Sequence, residues 1–345
     1  MAARENISTL NGEKIGNSND TPSSEMCVTN TVPSQVTIAI YILILFTSLM
    51  GNFLLITAYA RMKEKLLFLI ANMAVSDLLV AIFQIPRLIT IEVTGYPAFL
   101  VDGVFGSFLC KLCNFLSDIS LSVSTLSLVL ITTERFFAVV HPLTYRSISM
   151  QTRRLLVAST WILAAVFHSP YFYIMRLVSL TNNIKVCVPS WEPAFDHSVA
   201  HRYYNIFLFT TVLILPLLVV SCLHISIVVN LRRDKIGAEC RTDIGERRHQ
   251  ERSKNLKKMA FATITALLIC WSLYIVINLL ALFSPKVLSK CNRIFRIVRS
   301  IALLLGGVYC ALNAWICLLF VPRFSRELFS MCRRKTPRNS VMQQK

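Results

Sequence analysis

Seven long apolar stretches run through the 345-residue chain, and each is long enough to cross a lipid bilayer as a helix. A membrane-spanning helix needs roughly 20 mostly apolar residues, and only helices and closed barrels satisfy their own backbone hydrogen bonds inside lipid. The sequence therefore predicts an all-α membrane protein, a bundle of seven transmembrane helices that we number spans 1 to 7. The predicted spans are 36–60, 66–90, 107–140, 155–175, 203–231, 259–283 and 294–321.

The composition and the short connections leave no room for a second folded domain. Charged residues make up 16% of the chain and apolar residues 54%, whereas soluble domains carry about 25% charged residues. We divide the chain into a tail at 1–35, a transmembrane unit at 36–331 and a second tail at 332–345. The histidines are scattered, and none pairs with a Ser or Cys at the spacing of a catalytic motif. We therefore expect neither an enzyme nor an organic cofactor.

Basic residues are unevenly distributed between the segments that connect the spans. The segments on the side of the C-terminus hold 23 Lys and Arg residues, and those on the side of the N-terminus hold 8. Because basic residues are enriched in cytoplasmic segments, we expect the N-terminus outside the cell, the C-terminus inside, and the protein in the plasma membrane. The net charge of +18 then belongs to the face that meets anionic membrane lipid, and we expect no binding of nucleic acid.

The N-terminal tail is polar and has no signal-peptide pattern, because the first apolar run starts only near Val36 and has full span length. It contains two glycosylation sequons, at Asn6 and Asn19. Sequons are used on the outer side of a membrane protein, which agrees with the predicted orientation.

The eleven cysteines divide by compartment. Four lie inside apolar spans and are expected to be small packing residues. Cys240 and Cys332 lie on the cytoplasmic side, where thiols stay reduced; Cys332 follows span 7 and precedes three basic residues, so it is a candidate for palmitoylation. The remaining five lie on or near the oxidising side: Cys27, Cys110, Cys113, Cys187 and Cys291.

A set of short motifs follows one order from about residue 40 to 330. They are Gly51-Asn52, Asn72 to Asp77, Phe105-Gly106, Cys110, Ser124, Glu134-Arg135-Phe136, His141-Pro142-Leu143, Trp161, Pro170, Cys187, Pro216, Cys270-Trp271, Asn313 and Phe324. Each motif is weak alone, but their order and spacing are specific. In these motifs the chain resembles the rhodopsin-type (class A) G-protein-coupled receptors. The resemblance implies a seven-transmembrane helix bundle with a short amphipathic eighth helix around Phe324.

The resemblance implies a role for the charged pair at the end of span 3. Glu134 is expected to pair with Arg135 and neutralise it at rest. On activation the freed Arg135 would line a cavity that receives a helix of a heterotrimeric G protein, and Leu143 would pack against the same partner. Arrestin is a further partner that the family implies. From the residues alone, the alternative is an interfacial arginine with a neighbouring acid.

Asp77 lies near the centre of span 2, and a carboxylate at that depth is a functional candidate. The resemblance implies that Asp77, Ser124 and Asn313, together with Trp271, surround a hydrated sodium ion that favours the inactive state. Oxygen ligands suit a hard cation of this kind. The alternative is a protonated Asp77 that is simply hydrogen-bonded.

Two classes of ligand are disfavoured by single positions. The family's amine receptors have an acid where this chain has Ser117, and Asp118 is rotated from that position by about 100° on a helix. Opsins have a lysine in span 7, and this span has none. The missing lysine also argues against a light-driven pump or channel.

The segment 187–204, which holds Glu192 and Asp196, is similar to the second outer loop of receptors for neuropeptides of the RF-amide, tachykinin and neuropeptide Y types. In those receptors the loop forms a lid over an open polar mouth, so we expect a peptide ligand; a small non-peptide ligand is the alternative. A basic ligand group would pair with Asp118, Glu192 or Asp196, and an acidic group with Arg296 or Arg299. The expected ligand-binding residues are Gln84, Ser117, Asp118, Glu192, Trp271, Tyr274, Asn278 and Arg299.

The resemblance also pairs the outer cysteines. The family's bridge between span 3 and the second outer loop corresponds to Cys110 and Cys187. Chemokine-type receptors join the N-terminal tail to the start of span 7, which corresponds to a second bond between Cys27 and Cys291, with Cys113 as a competitor.

The chain departs from the family at four positions that move during activation. Leu273 and Ala314 replace the prolines of spans 6 and 7, and His224 and Cys317 replace the tyrosines that bridge spans 5 and 7 in active relatives. Without the prolines, both helices are expected to be straighter. We expect a receptor with low basal activity and weak or atypical coupling. The alternative is a non-signalling relative that acts as a scavenger or as the partner of another receptor.

Overall fold

Seven long helices make up most of the described part of the protein. The computed structural model describes residues 34–62, 65–94, 97–179, 184–237, 244–283 and 293–320. Within these ranges, seven helices are long and apolar enough to cross a membrane, which confirms the seven predicted spans. Several predicted features lie outside the described residues: most of the N-terminal tail with Asn6, Asn19 and Cys27, then Cys291, the eighth helix and the C-terminal tail with Cys332.

The first four spans are single α-helices. They cover Ser34–Met62, Lys65–Thr94, Gly103–Val140 and Met150–His168. A short helix, Pro142–Ser147, follows span 3, and another, Tyr171–Ile174, follows span 4. Span 4 starts before its apolar run because Ser149 caps it: the Ser149 hydroxyl accepts a hydrogen bond from the Thr152 N–H at 3.1 Å.

Span 5 starts earlier than the apolar pattern predicts and changes its pitch midway. It consists of an α-helix, a π-helical turn and a second α-helix: His197–Leu208, Phe209–Ile214 and Leu215–Gly237. The start is fixed by Asp196, whose carboxylate accepts a hydrogen bond from the Val199 N–H at 2.9 Å. The π-helical turn ends two residues before Pro216, which has no N–H to donate to the preceding turn.

Spans 6 and 7 are continuous α-helices, Ile244–Phe283 and Arg293–Phe320. Span 6 runs through Leu273 and span 7 through Ala314, so neither backbone ladder is broken where the family has proline. Ala314 is fully buried, and an added Cβ on Gly51 of span 1 would lie 3.0 Å from the Ala314 Cβ. Spans 1 and 7 are therefore in close contact at this level.

An antiparallel hairpin, β1 (Met175–Ser179) and β2 (Lys185–Pro189), connects the region of span 4 to span 5. The Phe99 N–H, just before span 3, donates to the Lys185 carbonyl at 2.9 Å. A disulfide between Cys110 and Cys187 joins span 3 to β2, which confirms the predicted bond. We call this end of the bundle the hairpin end, and the opposite end the Arg135 end.

Polar side chains also join the middle of the bundle. The Asn72 amide on span 2 donates to the Ser127 hydroxyl on span 3 at 2.8 Å and accepts from the Trp161 indole N–H on span 4 at 2.9 Å. The outward faces carry exposed apolar side chains such as Phe53 and Leu319. Such faces are suited to lipid, which is as apolar as these side chains.

Candidate functional site

A cavity of about 600 Å³ lies between the spans in the half nearer the hairpin. Residues from spans 2, 3, 5, 6 and 7 line it, together with His168 and Tyr171 from the end of span 4. Ligand sites commonly enclose about 300–1,000 Å³. Six of the predicted ligand-binding residues line the cavity: Gln84, Asp118, Trp271, Tyr274, Asn278 and Arg299.

The wall between spans 2 and 3 is held by two polar contacts one helical turn apart. The Ser117 hydroxyl donates to the Gln84 side-chain carbonyl at 3.3 Å, and the Arg87 guanidinium donates to the Asn114 side-chain carbonyl. The Asn114 amide in turn donates to the Cys110 carbonyl at 2.8 Å and to Cys187 Sγ at 3.2 Å. Arg87 is therefore anchored to the disulfide of the hairpin end.

The wall between span 3 and the end of span 4 has a second pair of contacts. The Tyr171 hydroxyl donates to Asp118 Oδ2 at 2.5 Å, and the Ser122 hydroxyl lies 2.8 Å from His168 Nε2. The rings of His168 and Tyr171 meet edge to face with centroids 5.3 Å apart. Asp118 thus faces the cavity with one of its oxygens already hydrogen-bonded.

Spans 6 and 7 supply aromatic and amide groups. Trp271 and Tyr274 meet edge to face with centroids 5.6 Å apart, and the Asn278 amide donates to the Tyr274 carbonyl at 2.7 Å. These three residues recur at i, i+3 and i+7, a spacing that places them on one face of a helix, and all three line the cavity. Arg299 of span 7 lines it as well, whereas the side chain of Arg296 is outside the described residues.

Two predicted ligand-binding residues do not line the cavity. Ser117 is buried behind it, against Gln84, and Glu192 is exposed outside it. Asp196, the third acid proposed for a basic ligand, caps span 5. Hydrogen bonds from Ser198 and from the Val199 N–H lower the pKa of its carboxyl, so this acid has a structural role at the helix start.

Several residues that line the cavity are not among those predicted from the sequence. They include Arg87, His168, Tyr171, His201, Arg202 and Asn205. Arg87 could have been predicted from the sequence, because an arginine inside an apolar span is costly and marks a functional site. His201 and Arg202 could not, since the apolar run of span 5 starts after them. They belong to the helix because it begins at the Asp196 cap.

Asp77 is fully buried between the cavity and the Arg135 end. The Ser124 hydroxyl donates to Asp77 Oδ1 at 2.5 Å. Asn313 and Cys310 lie within interaction distance of the same carboxyl group, and Tyr309 lies beside Asn313. Trp271 Nε1 is buried with no hydrogen-bond partner among the described residues. The carboxylate, hydroxyl and amide groups of this cluster are of the kind that holds a hydrated alkali cation.

Glu134 is hydrogen-bonded to Arg153 rather than to Arg135, although the two neighbouring charges still attract each other. Glu134 Oε1 accepts a hydrogen bond of 2.5 Å from Nε of Arg153 on span 4 and also contacts Nη2 of the same guanidinium. Consecutive helix residues point about 100° apart, so Glu134 faces span 4 and Arg135 does not share its direction. Arg135 Nε and Nη2 are buried and find no hydrogen-bond partner within the described ranges. Leu143, on the short helix after span 3, is 80% exposed at this end.

Comparisons with known proteins agree with this architecture. The family model described as "7 transmembrane receptor (rhodopsin family)" matches residues 51–316. The gonadotropin-releasing hormone II receptor of Clarias gariepinus is 26% identical over 274 residues, which cover 78% of this chain and 69% of that receptor. The prokineticin receptor 2 of Mus musculus is 30% identical over 247 residues, 70% of this chain and 62% of that receptor. With seven spans, the bond between Cys110 and Cys187, and a family match across most of its length, the chain belongs to the rhodopsin family of seven-transmembrane receptors.

Proposed function

We propose that this protein is a receptor for an extracellular peptide and signals through heterotrimeric G proteins. The observation that carries the proposal is the cavity, which is large and lined by charged and amide groups from several spans. The relatives include receptors for gonadotropin-releasing hormone, prokineticin and trissin, which are peptide-ligand receptors. A cavity of this size with polar groups from five spans suits a ligand that presents several polar groups at once, as a peptide does.

The hairpin end faces the outside of the cell in this proposal, with the N-terminus on the same side and the protein in the plasma membrane. A disulfide between Cys110 and Cys187 requires an oxidising compartment, and the excess of basic residues on the other side agrees. Glycosylation at Asn6 and Asn19 and a second bond between Cys27 and Cys291 belong to the same proposal.

At the Arg135 end, Arg135 and Leu143 would receive the G protein, and arrestin would compete for the same surface. The buried guanidinium of Arg135 and the exposed Leu143 support this assignment. Palmitoylation at Cys332 and contact with anionic lipid would hold the basic segments at the membrane.

The residues around Asp77 fit a sodium ion, and we propose Asp77, Ser124 and Asn313 as the groups that would hold it. The fit rests on the donor set: a fully buried carboxylate, the Ser124 hydroxyl and the Asn313 amide lie together in the middle of the bundle. A bound cation would neutralise the carboxylate in the middle of the bundle.

A screen of a neuropeptide library on cells that express the protein would test the main proposal, with G-protein dissociation as the readout. We expect at least one peptide to produce dissociation, and none to do so in cells with an equal surface level of Arg135→Ala. Equal dissociation in cells that lack the receptor would refute the proposal.

A second candidate function is that of a non-signalling receptor, a scavenger or a partner of another receptor. It is favoured by His224, whose Nδ1 donates to the Val220 carbonyl of its own helix at 2.8 Å, and by the buried thiol of Cys317. Uptake of a labelled peptide without G-protein dissociation would identify this function.

A further inference from the structure

The cavity has an excess of positive charge. Three arginines line it, Arg87 on span 2, Arg202 on span 5 and Arg299 on span 7, against a single carboxylate, that of Asp118. Among the described residues, none of the three arginines forms an ion pair. Arg202 and Arg299 are exposed and Arg87 is half-buried, so all three guanidinium groups are accessible to a negative group on a ligand.

Asp118 is already hydrogen-bonded to another side chain. Its Oδ2 accepts a hydrogen bond from the Tyr171 hydroxyl, on the wall formed by spans 3 and 4. Glu92, the acid of span 2 that is closest in sequence to Arg87, lies near Tyr41 of span 1 and does not line the cavity. Among the described residues, neither Asp118 nor Glu92 forms an ion pair with any of the three arginines.

Arg87 is positioned before any ligand arrives. One of its terminal nitrogens donates to the Asn114 side-chain carbonyl, and Asn114 is fixed by the Cys110 carbonyl and by Cys187 Sγ. Arg87 Nε is buried and donates to no described residue. A guanidinium held in this way loses little conformational freedom when it binds, and it still has N–H groups to donate.

Arg299 is on span 7, which packs against span 2, so the two arginines lie on neighbouring helices around one cavity. Guanidinium groups bind carboxylates through paired, charge-assisted hydrogen bonds. We propose that Arg87 and Arg299 recognise an anionic group of the carboxylate type on the ligand. This inference rests on the proposed peptide-receptor function and names the chemistry that the peptide must carry.

The carboxylate could come from the free C-terminus of the peptide or from an Asp or Glu side chain. The test uses four pools of synthetic hexapeptides. Two pools end in a free carboxylate and two in a C-terminal amide. Within each pair, one pool contains Glu and the other Gln among its randomised residues. Binding is measured as the change in unfolding temperature of the purified full-length receptor, and activation as G-protein dissociation in cells. We expect the amidated pool with Gln, which has no carboxylate, to be weakest. The difference between the free-acid pool with Gln and the amidated pool with Glu identifies the source of the carboxylate.

Arg87→Gln and Arg299→Gln should each weaken the effect of the best anionic pool roughly tenfold or more, because each removes a charge-assisted bond. Arg176→Gln is the matched control: Arg176 lies on β1, bonds to the Glu192 carbonyl and does not line the cavity. Arg→Lys at the two cavity positions should restore part of the effect, which separates lost charge from misfolding. Arg299→Glu should shift the preference toward a pool with Lys at the randomised positions.

Equal potency of the neutral amidated pool, or unchanged potency in both Gln variants, would overturn the inference while leaving the peptide receptor intact. If no pool and no library peptide of any charge binds or activates the receptor, the proposed function fails and this inference fails with it.

Discussion

At the scale of single residues, the Arg135 end depends on how Glu134 is engaged. Arg153 donates to Glu134 and, through Nη1, to the Ile148 carbonyl at 2.6 Å, and its guanidinium lies 5.7 Å from the Tyr145 ring centroid. The side chains of Arg153 and Glu134 are 3% and 5% exposed. Arg153 thus holds the acid that the family pattern assigns to Arg135, and it ties span 4 to span 3 beside the surface proposed for the G protein.

Arg153→Gln should destabilise the receptor strongly, because it leaves the carboxylate of Glu134 buried without its partner. Breaking a buried ion pair costs about 3 kcal/mol or more, so the apparent unfolding temperature of the purified protein should fall by roughly 5–10 °C. Arg154→Gln, at the exposed neighbouring position, is the control and should change it little. The double variant Glu134→Gln/Arg153→Gln should recover part of the loss.

Equal unfolding temperatures for Arg153→Gln and Arg154→Gln would mean that the pair contributes nothing to stability. A further readout is basal G-protein dissociation. It should change in Arg153→Gln if Glu134 then turns to Arg135, and it should stay constant in Arg154→Gln.

At the scale of elements, the start of span 3 shows what the Phe105-Gly106 motif does in this chain. Asp102 caps the helix and also forms an ion pair with Lys185 of β2 at 3.3 Å; hydrogen bonds from the Gly103 N–H and from Lys185 lower the pKa of its carboxyl. Gly103 has a φ of +70°, which favours glycine. At Gly106 an added Cβ would lie 2.2 Å from the Val101 carbonyl oxygen. The sharp corner therefore needs a glycine one turn into the helix.

Gly106→Ala should lower the amount of receptor at the cell surface severalfold, because the backbone before span 3 would have to move away from the new methyl group. Gly306→Ala is the matched control, since nothing lies within 4 Å of the corresponding Cβ and alanine is the better helix former. The measurement is surface labelling of both variants. Similar surface levels of the two variants would show that the backbone before span 3 can move without loss of folded receptor.

Spans 6 and 7 are the elements in which the chain departs most from its family. Combining Leu273→Pro, Ala314→Pro, His224→Tyr and Cys317→Tyr should raise agonist-independent G-protein dissociation, because proline bends a helix and two tyrosine hydroxyls can bridge the spans. The control carries the same prolines with Phe at positions 224 and 317, which lack the hydroxyl. If the restored receptor stays as quiet as the original while the original responds strongly to an agonist, the altered switch is not the cause of low activity.

The elements and the cavity differ in how far the sequence predicts them. Lipid requires long apolar helices, so the seven spans follow from hydropathy alone, and the shared face of Trp271, Tyr274 and Asn278 follows from helical spacing. The earlier start of span 5 depends on the Asp196 cap, which a count of apolar residues does not register. The partner of Glu134 depends on how span 4 lies against span 3, a contact between distant residues that no local pattern contains.

At the scale of the whole molecule, span 3 connects the two ends. It carries Cys110 and Asn114 at the hairpin end, Ser124 beside Asp77 in the middle, and Glu134 and Arg135 at the other end. Asn72 and Trp161 fix spans 2 and 4 to its centre. Span 3 therefore connects the cavity to the proposed G-protein surface, and the buried Asp77 lies between the two.

The buried acid gives a prediction that needs no ligand. If a sodium ion binds at Asp77, 150 mM NaCl should raise the unfolding temperature of the purified receptor by about 2 °C or more over choline chloride at the same concentration, since an ion that binds only the folded state stabilises it. Asp77→Asn should abolish the difference because it removes the negative charge, and Ser124→Ala should reduce it because the hydroxyl donates to Asp77 Oδ1. Asn72→Ala, which disturbs the neighbouring Ser127 and Trp161 contacts without touching Asp77, should lower stability equally in both salts. A sodium effect that persists in Asp77→Asn would place the ion elsewhere, and equal stability of the unmodified receptor in the two salts would favour a protonated, hydrogen-bonded Asp77.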